Sequence, residues 1–474
     1  MNNVTDNGAE VFATGSHDLP ASIALNDFMG VQWAPTPLPD PRPDPVAAWT
    51  PARRARLTER FPGERIVIPA GGEKIRSNSV PYRFRSHSAY THLTGDQTPD
   101  SVLVLDPDGS ATLYLRPRSR REGGAAYRDR SHGEFWIGRR RTLEEATEIL
   151  GLTCKNLDQV PTALRRSVPT RVLRGVDARV DGLLPGDPDQ ELAAALSEIR
   201  LIKDPWEIEE LRHAVNATVR GFEDVARALP EAAKHPRGER WIEGVFGHRA
   251  RMEGNGLGYD TIAAAGAHAC SLHWIRNDGP LPEGKLLLLD AGVEADSLYT
   301  ADITRTLPIS GTFSPLQREL YELEFAAQSA GIAALKPGAR FRDFHLAAMR
   351  VTVTGLCGMG IIKTSVDEAM SAEDGRYRRY TLCSSGHMLG LDLHDCGQAR
   401  ASTYLDAVLE EGHVLTVEPG IYFQPDDLTL PEELRGIGLR IEDDLLITAD
   451  GAEMLSAALP RTATDIEGWL AGLR

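Results

Sequence analysis

Short apolar runs bounded by turn residues occupy the front part of the chain. The segment RIVIPAG at 65–71 is typical of a buried strand, and SVLVLDPDGSATLYL at 101–115 places two apolar runs around Asp-Pro-Asp-Gly. Because Pro fixes φ and Gly tolerates positive φ, the second segment predicts a hairpin with a tight turn. The pattern therefore indicates a mixed α/β domain in the front part.

A long amphipathic helix is predicted after this region. Apolar residues lie at helical spacing from Leu192 to Ile199, and the segment LIKDPWEIEELRHAVNATVRGFEDVARAL follows. Asp204 is a suitable N-cap, with Pro205 at the first helical position and Glu207 at the third. The apolar face is formed by Ile208, Leu211, Val215, Phe222, Val225 and Leu229. We expect this face to pack on a sheet.

Strand-like segments dominate from residue 258 onward. Four of them carry acidic residues, namely KLLLLDAG at 285–292, DITRTLPI at 302–309, HVLTVEPGIYF at 413–423 and GLRIEDDLLIT at 438–448. A helix is predicted between the second and the third, at QRELYELEFAAQSAGIAAL, 317–335. The rear part is therefore expected to be an α+β domain.

Proline-rich and turn-rich segments suggest the domain boundaries. PTPLPDPRPDP at 35–45 has proline at every second position, which favours extended chain without internal hydrogen bonds. LPGDPDQ at 184–190 is a suitable linker. We expect a proline-rich extension over 1–50, an α/β domain over 51–190 and an α+β domain over 191–474.

Composition narrows the classes of function. The 474 residues are 42% hydrophobic and 25% charged, a composition that is typical of globular proteins. The formal net charge of −16 disfavours nonspecific binding to nucleic acid or anionic membrane. The five cysteines include no CxxC pair, which favours a reducing compartment. With no signal-peptide pattern and no apolar run of about 18 residues, we expect a cytoplasmic protein without a membrane span.

Four acidic residues stand in otherwise apolar segments. Asp290 ends one predicted strand and Asp302 begins the next, so a hairpin would bring both carboxylates together. Glu418 and Glu442 are expected inside strands, where an unpaired buried carboxylate is costly. Arg440 could neutralise one of them, since it lies on the same strand face as Glu442. Two divalent cations would neutralise all four together.

A histidine completes this donor set. SSGHMLGLDLHDCG at 384–397 contains His387 and His394, and we take His387 as the nitrogen ligand. Oxygen donors with one imidazole suit manganese, with cobalt or zinc as alternatives. Two metals roughly 3.5–4 Å apart would hold a bridging water, lower its pKa and clamp the attacking and departing atoms.

The candidate ligands occur in an order that resembles the pita-bread metallopeptidases, a family that includes methionine aminopeptidase, aminopeptidase P, prolidase and the metal-free creatinase. DAG…DITRT, GHMLGLDLHD, TVEPGIY and GLRIEDD are similar to the aminopeptidase P and prolidase branch. YRFRSHSAYTHLTG at 82–95 and FWIGRR at 135–140 resemble the N-terminal domain of aminopeptidase P. The resemblance implies a creatinase-like α/β domain followed by a pita-bread α+β catalytic domain.

The resemblance also implies metal-binding roles. Asp302 and Glu442 would bridge both metals. Asp290 would bind one metal, and His387 with Glu418 would bind the other. Glu418 would also accept a proton from the bridging water.

Four further residues have implied roles near the substrate. SLHWIRND at 271–278 resembles the segment that carries a catalytic histidine in this branch, here His273. His273 and His394 would hold the scissile carbonyl and stabilise the tetrahedral intermediate, without binding metal. Arg440 and Tyr422 would support the ligands through hydrogen bonds.

Two positions bear on the substrate pocket and on assembly. Cys383 stands four positions before His387, where many relatives carry a histidine that lines the substrate site. We therefore expect an altered pocket, unless Cys383 is only a small core residue.

In the family, a tryptophan loop of a neighbouring subunit can reach the site, and Trp136 in FWIGRR matches it. A homo-oligomer, either a dimer or a tetramer, is implied.

The implied activity is that of an Xaa-Pro aminopeptidase, whose substrates are peptides with proline in second position. Proline lacks the backbone N–H and its ring fixes φ, so Xaa-Pro bonds fit general peptidases poorly. The nearest alternative is a prolidase, which cleaves only Xaa-Pro dipeptides. A non-catalytic pita-bread module is a second alternative, although such modules have lost ligands that this chain keeps.

Overall fold

Two units of mixed helix and strand, Met1–Leu192 and Ala193–Arg474, make up the chain in the computed structural model. The structure describes residues 4–6, 9–12, 21–38, 41–78, 80–119, 121–165, 168–382 and 384–473. Both units combine helices with strands, as the sequence predicts. No helix in these described ranges has the length and apolar character that crossing a membrane requires.

A five-stranded mixed sheet forms the centre of the front unit. The strands of this unit are β1 (Val4–Asp6), β2 (Ala9–Phe12), β3 (Ala21–Ser22), β4 (Arg65–Pro69), β5 (Ile75–Ser77), β6 (Val80–Pro81), β7 (Val102–Leu105), β8 (Ala111–Leu115), β9 (Thr153–Asn156) and β10 (Thr170–Val172). The central sheet has the order β10-β4-β7-β8-β9. Its helices are α1 (Ile23–Gly30), α2 (Thr50–Thr58), α3 (Ser88–Thr94), α4 (Ala125–Arg128), α5 (Glu134–Ile137), α6 (Leu143–Leu150), α7 (Val160–Leu164) and α8 (Ala178–Leu183).

The predicted strand and hairpin of the front unit are confirmed. β4 is buried along its whole length and lies between β7 and β10. β7 and β8 pair antiparallel with Val102 opposite Tyr114, and the N–H of Gly109 donates to the carbonyl of Asp106 in the turn. Helix α1 was not predicted. It begins after Ser22, whose hydroxyl accepts a hydrogen bond from the N–H of Leu25.

The rear unit contains the long helices and several small antiparallel sheets. Helix α9 (Gln190–Glu198) leads into α10 (Pro205–Ala232), α11 (Gly238–Glu253), α12 (Pro315–Ala334), α13 (Phe341–Gly358), α14 (Val366–Ala369) and α15 (Ala463–Leu473). The strands are β11 (Gly256–Leu257), β12 (Ile262–Ala265), β13 (Leu286–Ala291), β14 (Val293–Glu294), β15 (Ile303–Pro308), β16 (Val414–Val417), β17 (Gly420–Phe423), β18 (Ile437–Arg440), β19 (Asp443–Ile447) and β20 (Ala452–Met454). The sheets are β12-β13-β15, β16-β19-β20, β17-β18 and β11-β14.

The predicted start of the long helix α10 is confirmed. The Asp204 carboxylate accepts a hydrogen bond from the N–H of Glu207, and the Glu207 carboxylate accepts one from the N–H of Asp204. This reciprocal pair satisfies two N–H groups that a helix end otherwise leaves free. The buried face of α10 packs on α11 and on β14, where the Thr218 hydroxyl accepts a hydrogen bond from the N–H of Val293.

The two predicted strands that carry Glu418 and Glu442 are each divided into two shorter strands. The prediction that these glutamates lie inside strands is therefore wrong. Glu418 lies between β16 and β17, and Glu442 lies between β18 and β19. Pro419 has no N–H to donate to a ladder, which explains the first break. After the breaks the halves change partners, since β16 pairs with β19 and β17 pairs with β18. Both glutamates are therefore outside the strand ladders.

Candidate functional site

A cavity of about 480 Å³ in the rear unit gathers the candidate residues. Its walls include the five predicted metal ligands and the two predicted substrate histidines, namely Asp290, Asp302, His387, Glu418, Glu442, His273 and His394. Strand ends, strand breaks and loops supply these side chains. The sequence spacing alone did not show that they meet in one place.

The predicted hairpin brings Asp290 and Asp302 together. Asp290 lies near the end of β13, opposite Thr304 of β15, and Asp302 immediately precedes β15. The hydroxyl of Tyr259 lies 2.5 Å from Oδ1 of Asp290 and 2.6 Å from Oδ1 of Asp302. One phenol has one proton to donate, so it cannot hydrogen-bond to both carboxylates at the same time. Tyr259 therefore leaves one of the two carboxylates without its hydrogen bond.

Backbone contacts hold the two glutamates at the strand breaks. The N–H of Glu418 donates to the carbonyl of Ser385 at 2.8 Å. The N–H of Glu442 donates to the carbonyl of Thr304, and the Thr304 hydroxyl donates to Oε2 of Glu442 at 2.7 Å. The strand that follows Asp302 thus also positions Glu442.

The ring of His387 is oriented for ligation through Nε2. Its Nδ1 lies 3.1 Å from the carbonyl oxygen of Met388, which can only accept, so Nδ1 carries the proton in the neutral ring. Nε2 then faces Oδ2 of Asp302 at 3.2 Å and Oε1 of Glu418 at 3.6 Å. A backbone carbonyl that fixes the tautomer in this way is common for metal-binding histidines.

The electrostatics of the site favour bound cations. Burial raises the pKa of Glu418 to about 7, and it raises the pKa values of Asp290 and Glu442 as well. Burial would also raise the pKa of Asp302, but the hydrogen bond and the charge of His387, together with Tyr259 and Arg440, outweigh it and lower this pKa. Burial opposes the charge of His387, yet Asp302 and Glu418 raise its pKa to about 9. The site's own cations thus do not keep all four acids ionised, and bound divalent cations would do so.

The donor set fits divalent metal ions. Ligand atoms of Asp302, His387 and Glu442 lie within 4.8 Å of one another. Asp290 and Glu418 line the same cavity, so carboxylate donors with one imidazole surround one volume. This combination suits manganese, cobalt or zinc by its chemistry.

Arg440 pairs with Asp290 rather than with Glu442. Its Nη2 donates to Oδ2 of Asp290 at 2.5 Å. Its Nη1 donates to the hydroxyl of Tyr422 at 2.8 Å, and its Nε donates to the hydroxyl of Thr304 at 3.1 Å. The pairing differs from the sequence-based expectation because the strand breaks before Glu442. Arg440 and Tyr422 are thereby connected to the carboxylates of the cavity.

His273 and His394 are exposed in the same cavity. The ring of His394 stands nearly perpendicular to that of His387, with centroids 4.4 Å apart. Burial, and next the positive charge of His387, lower the pKa of His394, which favours a neutral ring. His273 contributes to the same lowering through its charge. The two rings are therefore positioned to contact a bound peptide.

Glu239 organises the segment that carries His273. Glu239 is fully buried in α11. Its carboxylate contacts the N–H groups of Ala265 and Gly279 and the rings of His268 and Trp274, at 2.7–3.0 Å. Glu239 was not predicted as a functional residue, because nothing near it in the chain shows that it meets residues 265–279.

A buried ion cluster lies beside His394. Asp395 pairs with Lys203 at 3.0 Å and with Arg200 at 3.3 Å. The N–H of Asp395 donates to the carbonyl of Met388, which closes the loop between the two site histidines. This cluster was not predicted either. Tyr259 was also not predicted as a site residue, although its place in the glycine-rich segment GNGLGYD at 254–260 was a signal that could have identified it.

Two predicted residues remain, Cys383 and Trp136. Cys383 lies outside the described residues. Trp136 belongs to the front unit, where its Nε1 donates to the carbonyl of Tyr127 at 2.6 Å. The guanidinium of Arg130 lies 4.4 Å from the Trp136 ring centroid, and 49% of Trp136 is exposed.

Family models match both units. Residues 209–449 match metallopeptidase family M24, and residues 51–172 match the aminopeptidase P N-terminal domain. Xaa-Pro aminopeptidase 1 of Streptomyces coelicolor is 54% identical over 461 residues, covering 96% of this chain and 93% of that protein. The Xaa-Pro aminopeptidase of Escherichia coli is 32% identical over 454 residues, covering 89% and 97%.

Solved structures show the same architecture. Zinc-substituted Escherichia coli aminopeptidase P in complex with product has a TM-score of 0.79 at 30% identity, covering 91% of this chain and 99% of that one. Pseudomonas aeruginosa aminopeptidase PepP has a TM-score of 0.77 at 29% identity, covering 90% and 98%.

The fold and the carboxylate-lined cavity together define a metallopeptidase with a pita-bread catalytic unit. The chain belongs to metallopeptidase family M24, in the aminopeptidase P branch that carries the characteristic N-terminal domain. It is a metallo-aminopeptidase, and its family implies divalent metal ions.

Proposed function

We propose that this enzyme is a dinuclear Xaa-Pro aminopeptidase, which hydrolyses the bond between an N-terminal residue and a following proline. The observation that carries the proposal is the meeting of five donor side chains in one cavity: Asp290, Asp302, His387, Glu418 and Glu442. The relatives named Xaa-Pro aminopeptidase support the choice of substrate.

The five donors divide between two metal sites. Asp302 and Glu442 would be shared by both ions, Asp290 would hold one ion, and His387 with Glu418 would hold the other. Manganese is the first choice, because oxygen donors predominate, with cobalt and zinc as alternatives. When bound, the metal pair lowers the pKa of a water molecule and withdraws charge from the peptide carbonyl.

Glu418 would move the proton. A carboxylate beside the attacking water can accept its proton and return it to a leaving group. The leaving proline nitrogen carries no hydrogen in the peptide, so it must gain a proton as the bond breaks. Glu418 can accept a proton from the attacking water and deliver it to this nitrogen.

His273 and His394 would hold the scissile carbonyl. Neither ring is needed for ligation, since His387 supplies the imidazole donor. A neutral histidine has one N–H to donate, and such donors stabilise the charge that develops on the carbonyl oxygen. The T-shaped contact of His394 with His387 places this ring beside the metal donors.

Assembly and location complete the proposal. The exposed Trp136 would contact a neighbouring subunit in a dimer or tetramer. The acidic composition disfavours nucleic acid and anionic membrane as partners, and the sparse cysteines without a CxxC pair support a cytoplasmic location.

A peptide panel tests the activity and separates it from that of a prolidase. The metal-loaded enzyme should cleave Xaa-Pro-Yaa and longer Xaa-Pro peptides at least as fast as Xaa-Pro dipeptides. It should leave N-acetylated peptides and peptides without proline in second position intact. Hydrolysis confined to dipeptides would make it a prolidase, and absence of any hydrolysis would favour a binding module.

A further inference from the structure

A second cavity of about 490 Å³ adjoins the catalytic cavity within the rear unit. Thr381 and Ser384 line both cavities, so the two cavities share this segment as a wall. The other walls of this side cavity include Arg342, His345, Arg378 and Asp406. These residues come from the start of α13, from the 3₁₀ helix Arg376–Arg379 and from a loop, and none of them is a candidate metal ligand.

His345 presents a fixed donor in the side cavity. The N–H of Ser385 donates to Nδ1 of His345 at 3.2 Å, so the neutral ring must carry its proton on Nε2. In the part of the chain that the structure describes, Nε2 has no hydrogen-bond partner. Burial, and next the charge of Arg378, lower the pKa of His345, which favours this neutral form.

The charges of the side cavity favour an anion. Arg342 forms an ion pair with Asp406 and is neutralised by it. Arg378 has neither an ion-pair nor a hydrogen-bond partner for its guanidinium among the residues that the structure describes. The walls therefore carry one uncompensated positive charge beside one neutral N–H donor. A planar guanidinium with an adjacent donor matches a carboxylate.

We propose that the side cavity binds a carboxylate of the substrate beyond the proline. The inference rests on the proposed Xaa-Pro aminopeptidase activity, in which a single residue precedes the scissile bond. Any longer substrate must therefore extend on the carboxyl side. The carboxylate can be the terminal carboxylate of a short peptide or the side chain of an acidic residue that follows proline.

Tetrapeptides test the proposal and distinguish the two sources of the carboxylate. The set is Ala-Pro-Asp-Ala, Ala-Pro-Asn-Ala and Ala-Pro-Lys-Ala, each with a free or an amidated C-terminus. We expect a kcat/KM about five-fold higher when a carboxylate is present, the size of one contact at a partly exposed site. A preference for Asp over Asn identifies the side chain, and a loss on amidation identifies the terminus.

Two arginine variants localise the effect. Arg378→Ala should bring the ratio of rates for anionic and neutral peptides close to one. Arg376→Ala is the matched control, because Arg376 lies in the same turn but pairs with Asp374 and does not line the side cavity. That variant should keep the wild-type ratio and the wild-type activity. Equal rates for all peptides, or a preference that persists in Arg378→Ala, would contradict the proposal.

Binding measurements separate this inference from the proposed activity. Calorimetric dissociation constants of the product peptides Pro-Asp-Ala, Pro-Asn-Ala and Pro-Lys-Ala, each with a free or an amidated C-terminus, report on the side cavity of metal-loaded protein without turnover, because no residue precedes proline in them. If no peptide is hydrolysed but binding still depends on the carboxylate and on Arg378, the activity is wrong and the side cavity is supported. If binding does not depend on the carboxylate, the side cavity is contradicted.

Discussion

Nε2 of His387 lies 3.2 Å from Oδ2 of Asp302. The nitrogen is free to ligate because Nδ1 is turned to the carbonyl of Met388. His394 is close to His387 but is held by its own loop, through the backbone contact of Asp395. The two histidines of one loop thus have different surroundings, and this difference predicts different consequences of substitution.

His387→Ala should lose metal, whereas His394→Ala should keep it. Removing a donor that stabilises the transition state lowers kcat by about 10²-fold or more, so His394→Ala should remain loaded but slow. His273→Ala should behave in the same way as His394→Ala. Metal analysis and steady-state kinetics on the purified variants check both statements. A metal-depleted His394→Ala beside a loaded His387→Ala would mean that the two roles are reversed.

Tyr259→Phe should weaken metal binding. The hydroxyl contacts both Asp290 and Asp302, and loss of such a supporting hydrogen bond commonly costs about 10- to 100-fold in metal affinity or activity. Competition with a chelator measures the affinity. Tyr422→Phe is the comparison, since its hydroxyl contacts only Arg440 among these groups and its effect should be smaller. Equal affinity of Tyr259→Phe and wild type would refute this supporting role.

Glu239→Gln should impair activity without removing metal. The amide nitrogen of glutamine cannot accept the N–H groups that one glutamate oxygen now accepts. Each buried donor left unpaired costs about 1–3 kcal/mol, so both the melting temperature and kcat should fall while metal content stays at the wild-type level. Glu231→Gln serves as control, because Glu231 is exposed and Lys234 is its only ion-pair partner among the described residues. Wild-type kcat in Glu239→Gln would show that this contact does not position His273.

Acid should remove the stabilisation that Asp395 provides. Burial would raise its pKa, but the charges of Arg200 and Lys203 lower it to about 2, against about 3.9 in the unfolded chain. A lowered folded-state pKa stabilises the fold above the unfolded value, and this contribution is lost as pH falls towards the folded value. It amounts to roughly 2–3 kcal/mol.

Urea unfolding of metal-free protein tests this dependence. Asp395→Asn should be much less stable than wild type at neutral pH, because Lys203 and Arg200 lose their buried partner. The difference in unfolding free energy should shrink as pH falls from about 4 to about 2. A difference that stays constant over this interval would show that the charge of Asp395 is not what stabilises the loop.

Local patterns predicted the hairpin of Asp290 and Asp302, since strand ends and turns are encoded by neighbouring residues. The breaks at Glu418 and Glu442 were not predicted. Apolar residues continue on both sides of each glutamate, so only Pro419 signalled a break locally. The breaks let the strand halves exchange partners. This exchange depends on packing against segments that are distant in the chain, so no local pattern predicts it.

Residues that position others were harder to predict than the ligands. Glu239 and Asp395 act through contacts with segments far away in the chain, and each looks like an ordinary surface acid in the sequence. Tyr259 lies in a glycine-rich segment that carries no phosphate-binding pattern. The ligands could be recognised because several acidic residues in apolar segments require a common explanation, whereas a single hydrogen-bonding residue does not.

Metal content tests the central claim most directly. Elemental analysis of the enzyme loaded with manganese should find two ions per chain, lost together with activity on exhaustive chelation and restored by added metal. Asp302→Ala and Glu442→Ala should each lose both ions, because each carboxylate is shared between the two sites. Full activity after exhaustive chelation, or two ions retained in either variant, would contradict the dinuclear site.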